Sequence, residues 1–228
     1  MKTCRDLRLF DKDVETDIQS RFLPHWFQPG VAIFVTFRTA DSMPGKIVER
    51  WKKELQQWLR QIGIPFDPEG NPPAPETVPD HQRSEYLKQR NRLWQWHLDT
   101  CHGACVLKRP ENAKTVMQSL LHFNGDRYDM TSAIVMPNHV HLIAQFYPPT
   151  TCRQQCTSWM HYTARIINRR IGCQGAFWQS EPFDHLIRSE RQFHYLQRYI
   201  ADNGRNANLP ETDYLYWIDP MLNDAPSS

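Results

Sequence analysis

Two short apolar runs separated by a Pro-Asn pair constrain the fold of this chain more than any other feature of its sequence. The first run, YDMTSAIVM, covers residues 128–136, and the second, HVHLIAQF, covers His139–Phe146. Both runs have the β-branched and apolar composition of strands, and the pair between them is typical of a reversing turn. The sequence therefore predicts an antiparallel hairpin whose second strand lies centrally in a sheet.

The second strand begins with two histidines that are one residue apart. Side chains alternate between the two faces of a strand, so His139 and His141 share one face while Val140 and Leu142 lie on the other. Two neutral imidazoles side by side could supply half of a divalent-metal site. The pattern also fits two polar positions on the solvated face of a half-buried strand, and both interpretations stay open at this point.

An ordered alternation of strands and helices surrounds the hairpin. A β-branched and aromatic run at 30–39 predicts a strand with Thr36 and Arg38 on the face opposite Val35. Apolar spacings of three and four predict helices at about 48–63, 84–100, 111–124, 152–171 and 190–202. A further extended segment, GAFWQSEPFDHLIRS, precedes the last helix. This order predicts an α+β fold with a ferredoxin- or RRM-like, mainly antiparallel sheet and with helices packed on one face.

The length of the chain suits one hydrophobic core better than two, since it has 228 residues of which 40% are hydrophobic. We expect a single domain over 1–228, with an insertion at about 48–109. Within the insertion, the proline-rich stretch at 64–82 predicts an exposed, partly disordered linker. A charged N-terminus without an apolar run, and no long apolar stretch elsewhere, predict a cytoplasmic protein.

The cysteines give a further indication of the compartment and raise the question of a zinc site. The six are Cys4, Cys101, Cys105, Cys152, Cys156 and Cys173. Without an export signal we expect free thiols. Two pairs at four-residue spacing, Cys101/Cys105 and Cys152/Cys156, could form a four-thiolate zinc site. That interpretation is the weaker one, because the second pair lies at the opening of a helix, where residues four apart share a face in any case.

Three sequence blocks together resemble the signature blocks of a known family. They are MPNHVHLI at 136–143, FWQSEPFDHLIRS at 177–189 and YLQRYIADNGRNANL at 195–209. In combination they resemble the REP-associated tyrosine transposases, which belong with the single-strand insertion-sequence transposases among the HUH endonucleases. The similarity extends over most of residues 22–210. The stretch at about 48–109 is longer than in the compact members, so the resemblance implies no contact for it.

The resemblance implies a reaction and a set of site residues. In this family a tyrosine hydroxyl attacks a DNA phosphodiester and leaves a 5′-phosphotyrosine and a free 3′-OH, with one divalent cation, Mg²⁺ or Mn²⁺, at the phosphate. The nucleophile corresponds to Tyr199, and the metal ligands correspond to His139, His141 and Asn203. Residues 199 and 203 are four apart, so they would share one helix face. Tyr195 lies one turn earlier and stays open as an alternative nucleophile.

A nucleic-acid partner has to be argued from a local patch, because the formal net charge of the chain is only +2. Arginines outnumber acidic residues between positions 153 and 205, and the resemblance implies single-stranded or hairpin DNA as their partner. We expect DNA contacts from Arg165, Arg169, Arg188 and Arg198. Ordinary solvated helix charges are the alternative explanation of this excess.

The predicted function is a metal-dependent single-stranded DNA endonuclease and strand transferase that acts on hairpin-forming repeats. A catalytically silent DNA- or RNA-binding α+β module is the alternative from a different class. A two-histidine phosphodiesterase is disfavoured, because such an enzyme needs a second H-x-[TS] pair and the sequence has no convincing one. The sequence leaves open whether the tyrosine acts within its own subunit or across a homodimer.

Overall fold

A computed structural model of the chain describes residues 7–14, 16–20 and 24–223. Cys4 and the first part of the charged N-terminal segment lie outside these ranges. The chain forms two compact units. We call Met1–Ala40 together with Cys105–Ser228 the sheet unit, and Asp41–Ala104 the helical unit. Across the described ranges, no helix combines the length and the apolar character needed to cross a membrane.

A five-stranded antiparallel sheet forms the centre of the sheet unit. The strands are β1 (Asp17–Ser20), β2 (Pro24–Phe27), β3 (Ala32–Arg38), β4 (Tyr128–Val135), β5 (His139–Phe146), β6 (Phe183–Leu186) and β7 (Leu215–Ile218). The first two pair with each other, and the large sheet has the order β6-β3-β5-β4-β7. All neighbouring strands in it are antiparallel. The predicted α+β fold, the hairpin and its central second strand are confirmed.

Both units contain helices. They are α1 (Gly45–Gln61) and α2 (Asp80–Asp99) in the helical unit, and α3 (Pro110–Leu121), α4 (Cys152–Ile171), α5 (Glu190–Asn206) and the short α6 (Pro220–Asn223) in the sheet unit. Local sequence sets the ends of α4. Thr151 and Gln154 form a capping box at its start, and Gly172 ends it in a left-handed conformation with φ 70°.

Different helices cover the two faces of the large sheet. One face forms a core with α3 and α4, which includes Val116, Val140, Leu142 and Trp159. The other face carries the histidines, and α5 covers it, since the rings of Tyr199 and His141 lie 5.2 Å apart. Helices therefore lie on both faces, whereas the order of elements predicted one. The physical reason is that buried apolar side chains such as Phe34 and Ile143 occupy this second face as well and need a cover.

The two cysteines of α4 lie on one face of the helix, as their spacing predicted. Cys152 and Cys156 lie on the buried side of the helix, with their sulfur atoms 3.9 Å apart. The five cysteines in the described part of the chain form no disulfide bonds. The four-residue spacing is thus explained by packing of one helix face.

The helical unit is held together by its own apolar core. The core residues are Trp51, Leu55, Leu59, Ile64, Val78 and Tyr86. The proline-rich stretch between α1 and α2 belongs to this core, because Val78 is buried and the Tyr86 hydroxyl donates to the carbonyl oxygen of Pro73 at 2.7 Å. Most residues at 65–77 are exposed, as predicted, whereas Ile64 and Val78 at the two ends of this segment are buried. After the prolines, Val78 packs against α1 and α2. The amino-acid composition of the stretch did not predict this contact.

Helix α5 continues one turn beyond its predicted end. We expected it to end at about 202, because Gly204 is a typical helix-terminating residue, but it runs to Asn206. Gly204 has a different role, since a Cβ atom added to it would overlap the ring of Tyr214. The glycine lets α5 lie directly against the residue that precedes β7. The continued helix keeps Asn203 one turn from Tyr199.

We expect Gly204→Ala to destabilise the protein, although this exchange inside a helix normally stabilises by about 0.5–1 kcal/mol. The added methyl group would overlap Tyr214, and overpacking of this kind typically costs about 1–3 kcal/mol. Urea unfolding of the full chain measures the difference. Gly45→Ala is the matched control, because a Cβ there meets no described atom within 4 Å. Equal effects of the two exchanges would contradict the close approach of α5 to Tyr214.

Candidate active site

His139 and His141 lie side by side at the start of β5, on the face that α5 covers. Both side chains are fully buried, with 0% exposure, and their ring centroids are 4.6 Å apart. Their ligand nitrogens lie within 4.8 Å of each other, a separation at which two histidines could hold one metal ion. The interpretation of the pair as polar positions on a solvated face is therefore wrong.

The surroundings of His139 keep its ring neutral and oriented. Its Nδ1 lies 2.8 Å from Oδ1 of Asn138. In the tautomer with the proton on Nδ1, the ring donates to this oxygen and Nε2 carries the lone pair. Burial lowers the pKa of His139 well below its ordinary value of 6.5, and His141 and Arg38 act in the same direction. A neutral imidazole with its lone pair at Nε2 is the form that binds a metal ion.

His141 is held by neighbours on both sides. Its Nδ1 lies 2.7 Å from the hydroxyl of Thr36, its cross-strand partner on β3. Its ring stacks on Phe34 at 5.4 Å, and its Nε2 lies 3.3 Å from the hydroxyl oxygen of Tyr199. In the tautomer with the proton on Nδ1, the ring donates to Thr36 and accepts from the phenol. Strand pairing thus fixes the imidazole and directs Nε2 at α5.

Helix α5 brings two predicted residues to the histidines. Tyr199 meets His141, and Asn203, one turn later, is 1% exposed. A contact from Asn203 raises the pKa of His139 and partly offsets the effect of burial. Neither Oδ1 nor Nδ2 of Asn203 has a hydrogen-bond partner of ordinary geometry among the described residues. A buried amide without such a partner costs stability, and this one lies beside two imidazoles, where its oxygen could bind a metal ion. Tyr195, in contrast, is 63% exposed.

The predicted DNA-binding arginines fall into two groups. Arg198 is exposed next to the tyrosine on α5, and Arg188 is exposed just before α5, with its guanidinium 5.6 Å from the ring of Phe10. Arg165 and Arg169 are exposed on α4, which packs against the opposite face of the sheet. The structure therefore does not bring the two groups to one place.

Three residues of the site were not predicted as functional. Asn138 and Thr36 contact the second nitrogen of each histidine, and Arg38 is the cross-strand partner of His139. The sequence pattern gave a signal for two of them, because Thr36 and Arg38 are the polar residues on one face of their strand. The sequence pattern did not show which strand pairs with this one, or in which register, so it did not place this face next to the histidines.

No family model and no curated protein matches the chain. One similar solved structure is a REP-associated tyrosine transposase bound to a REP hairpin, at 12% identity and TM-score 0.42, covering 85% of this chain and 77% of the other. Another, provisionally described as a transposase from Deinococcus radiodurans R1, has 11% identity and TM-score 0.30, covering 81% and 96%. The first bears the family description that the sequence blocks resemble.

We expect Thr36→Val to destabilise the protein and to loosen the site. Valine has nearly the same shape but cannot bond to Nδ1 of His141, and the loss of a buried partner typically costs about 1–3 kcal/mol. Loss of such an outer contact to a metal-binding histidine typically lowers metal affinity about 10- to 100-fold. Urea unfolding and titration with Mn²⁺ measure the two effects.

Thr39→Val is the matched control for this exchange. The Thr39 hydroxyl is buried and has no hydrogen-bond partner in the described part of the chain. Its removal should therefore change the free energy of unfolding by no more than about 0.5 kcal/mol, or should stabilise the protein. If both variants lose the same stability, the Thr36 hydroxyl does not support His141.

Proposed function

We propose that this protein is a metal-dependent endonuclease and strand transferase of single-stranded, hairpin-forming DNA, with Tyr199 as its nucleophile. The observation that supports this most is the 3.3 Å distance between the hydroxyl oxygen of Tyr199 and Nε2 of His141. The buried side chains of His139 and Asn203 lie at the same place. A half-buried phenol that points into such a group is suited to attack a bound phosphate.

In the proposed reaction, the hydroxyl oxygen of Tyr199 attacks a DNA phosphorus atom. A bond forms between that oxygen and phosphorus, and the bond from phosphorus to the 3′ oxygen breaks. The phenol loses its proton and the leaving 3′ oxygen gains one, which yields a 5′-phosphotyrosine and a 3′-hydroxyl end. A phenol has a pKa of about 10 and leaves more readily than an alcohol, so the 3′-hydroxyl could attack in return and rejoin a strand.

The residues of the site fit a divalent cation. His139 and His141 would offer imidazole nitrogen, and Asn203 would offer its amide oxygen, which has no hydrogen-bond partner of ordinary geometry among the described residues. Mg²⁺ or Mn²⁺ at this place would polarise the phosphate and spread the negative charge of the transition state. All three protein ligands are uncharged, so we expect the ion to bind weakly until phosphate oxygens of the DNA join them.

The exposed arginines would hold the DNA on either side of the sheet. Arg188 and Arg198 lie at α5 and would contact phosphates close to the cleaved bond. Arg165 and Arg169 lie on α4 and would contact a separate part of a hairpin. Contacts of this kind release counterions, so the affinity for DNA should fall steeply as salt rises.

We expect Tyr199→Phe to bind hairpin DNA normally and to form no covalent adduct. The exchange removes one oxygen and keeps the ring, so the packing of α5 is retained while the attacking atom is lost. Incubation with a labelled single-stranded hairpin library and Mn²⁺, followed by a denaturing gel, detects the adduct.

Tyr195→Phe is the matched control and should keep the adduct, because that ring is largely exposed on the same helix. An adduct with Tyr199→Phe and none with Tyr195→Phe would reverse the assignment of the nucleophile. Binding without any adduct from the unmodified chain would favour a catalytically silent DNA-binding module.

We expect Asn203→Leu to leave the stability of the metal-free protein unchanged or to increase it by about 1–3 kcal/mol, because it removes two buried polar atoms that lack hydrogen-bond partners of ordinary geometry among the described residues. The same exchange should abolish adduct formation, since leucine cannot ligate a metal ion. Thermal unfolding in EDTA and the adduct gel separate the two effects. A variant that is strongly destabilised yet still forms the adduct would show that Asn203 is structural and not a ligand.

A further inference from the structure

We propose that a cleft on the helical unit binds an unpaired nucleotide of single-stranded DNA. The residues that line the cleft are Glu54 on α1 and Arg92, Leu93 and Trp96 on α2. None of the residues proposed above to hold the metal ion or the DNA belongs to the helical unit. The inference rests on the proposed function in its choice of partner, which is the same single-stranded DNA, and it adds a separate binding site.

Trp96 gives the cleft an aromatic surface that is open to water. It is 56% exposed, and among the tryptophans whose side chains the structure describes no other is mostly exposed. Leu93 extends this apolar surface. The cleft has a volume of about 460 Å³, which lies in the range of sites that hold small ligands. A base stacked on the indole would remove apolar surface from water, and aromatic stacking is a common way to bind unpaired bases.

Arg92 brings a positive charge to the same cleft. It lies four residues before Trp96, so the two side chains share one face of α2. Arg92 is exposed, and no described residue forms an ion pair or a hydrogen bond with its guanidinium. A guanidinium can donate two parallel hydrogen bonds to a phosphate. One nucleotide could therefore bind Arg92 through its phosphate and Trp96 through its base.

Glu54 lines the cleft from α1 and is held by a histidine of α2. Its Oε2 lies 2.8 Å from Nε2 of His97, which is fully buried. In the tautomer with the proton on Nε2, the ring donates to the carboxylate. The contact orients Glu54 and uses one of its two oxygens, so the other can accept from a ligand. The exocyclic amino group of a base is a suitable donor for a carboxylate.

The charges of the cleft favour a nucleotide over other occupants. A simple phosphate or an acidic peptide would be attracted by Arg92 but repelled by Glu54. An apolar segment would cover both charged groups without pairing them, which costs free energy. A nucleotide offers an anion to the arginine, a flat ring to the indole and N–H donors to the carboxylate. Of the two pyrimidines, cytosine has the amino group, whereas thymine presents a carbonyl oxygen there, so we expect cytosine to bind more tightly.

The test measures DNA binding by the full chain with the Tyr199→Phe exchange, so that no strand is cut. Fluorescence anisotropy in EDTA reports binding of short labelled oligonucleotides of deoxycytidine or of thymidine. Trp96→Leu keeps apolar bulk without an aromatic face, and it should weaken binding of the deoxycytidine oligonucleotide roughly 5- to 100-fold, as expected for one stacked base. Trp96→Tyr keeps an aromatic face and should lose less. Because the indole is mostly exposed, the fold should tolerate both exchanges.

Arg92→Gln should reduce the salt slope of binding by about 0.7, which is one phosphate on a single strand. Arg60→Gln is the matched control, because Arg60 is exposed in the last turn of α1 and does not line the cleft. It should leave the slope unchanged. Equal reductions by the two exchanges would show that Arg92 acts only through the general charge of the surface, and would contradict the inference.

Glu54→Gln tests the choice of base. The parent chain should bind the deoxycytidine oligonucleotide roughly 10-fold more tightly than the thymidine one. Glutamine has the same shape and can still accept from His97, but its amide can also donate to a carbonyl oxygen of thymine. The variant should therefore bind the two oligonucleotides with nearly equal affinity. A preference that stays unchanged in this variant would show that Glu54 does not contact the base.

The outcomes separate this inference from the proposed function. If the parent binds a hairpin DNA library and Trp96→Leu binds it and the oligonucleotides equally well, the cleft holds no nucleotide and the proposed function stands. Sedimentation of the DNA-free parent tests a second copy as the occupant, and a dimer that Trp96→Leu dissociates would overturn the inference in the same way. If the parent binds neither the library nor the oligonucleotides, the proposed function and this inference are both wrong.

Discussion

Hydrogen bonding between β3 and β5 determines the position of almost every group in the candidate active site. The register sets Thr36 against His141 and Arg38 against His139. The same alternation sends Val140 and Leu142 into the core with α3 and α4. A shift by one residue would bury both histidines in that core and expose the apolar residues to α5. Burial of apolar surface on one face therefore holds the register that the other face needs.

The histidine face carries polar atoms that a purely structural protein would avoid. Both imidazoles and the amide of Asn203 are buried, and the amide lacks hydrogen-bond partners of ordinary geometry in the described part of the chain. The cost of burying such groups is offset elsewhere, above all by the large aromatic side chains on the opposite face. Trp159, Tyr128 and Phe146 pack together there with ring centroids 5.1–6.1 Å apart. One face of the sheet stabilises the fold, and the other holds reactive groups in place.

Local patterns in the sequence predicted the helices and strands. Contacts between residues far apart in the sequence determine the arrangement of the candidate active site. The hairpin, α4 and the shared face of the histidines follow from periodicity among neighbouring residues. The bonds of His141 to Thr36 and Tyr199 join residues 105 and 58 positions apart, and no local pattern contains that register. For the same reason the burial of the histidines was missed, since it depends on α5 crossing their face. The packed state of the proline-rich stretch depends on Val78 reaching helices that precede and follow it.

The contact between Gly204 and Tyr214 ties the helix that carries Tyr199 to the chain that enters β7. That strand is paired with β4 at the edge of the sheet. Helix α5 and strand β7 are therefore packed together as one block at the C-terminal end of the sheet unit. If two copies exchanged their tyrosines, the exchanged piece would be this whole block, and each sheet would lose an edge strand and gain its neighbour's. Such an exchange requires partial unfolding, so it would be slow and cooperative in comparison with a swing of the tyrosine side chain.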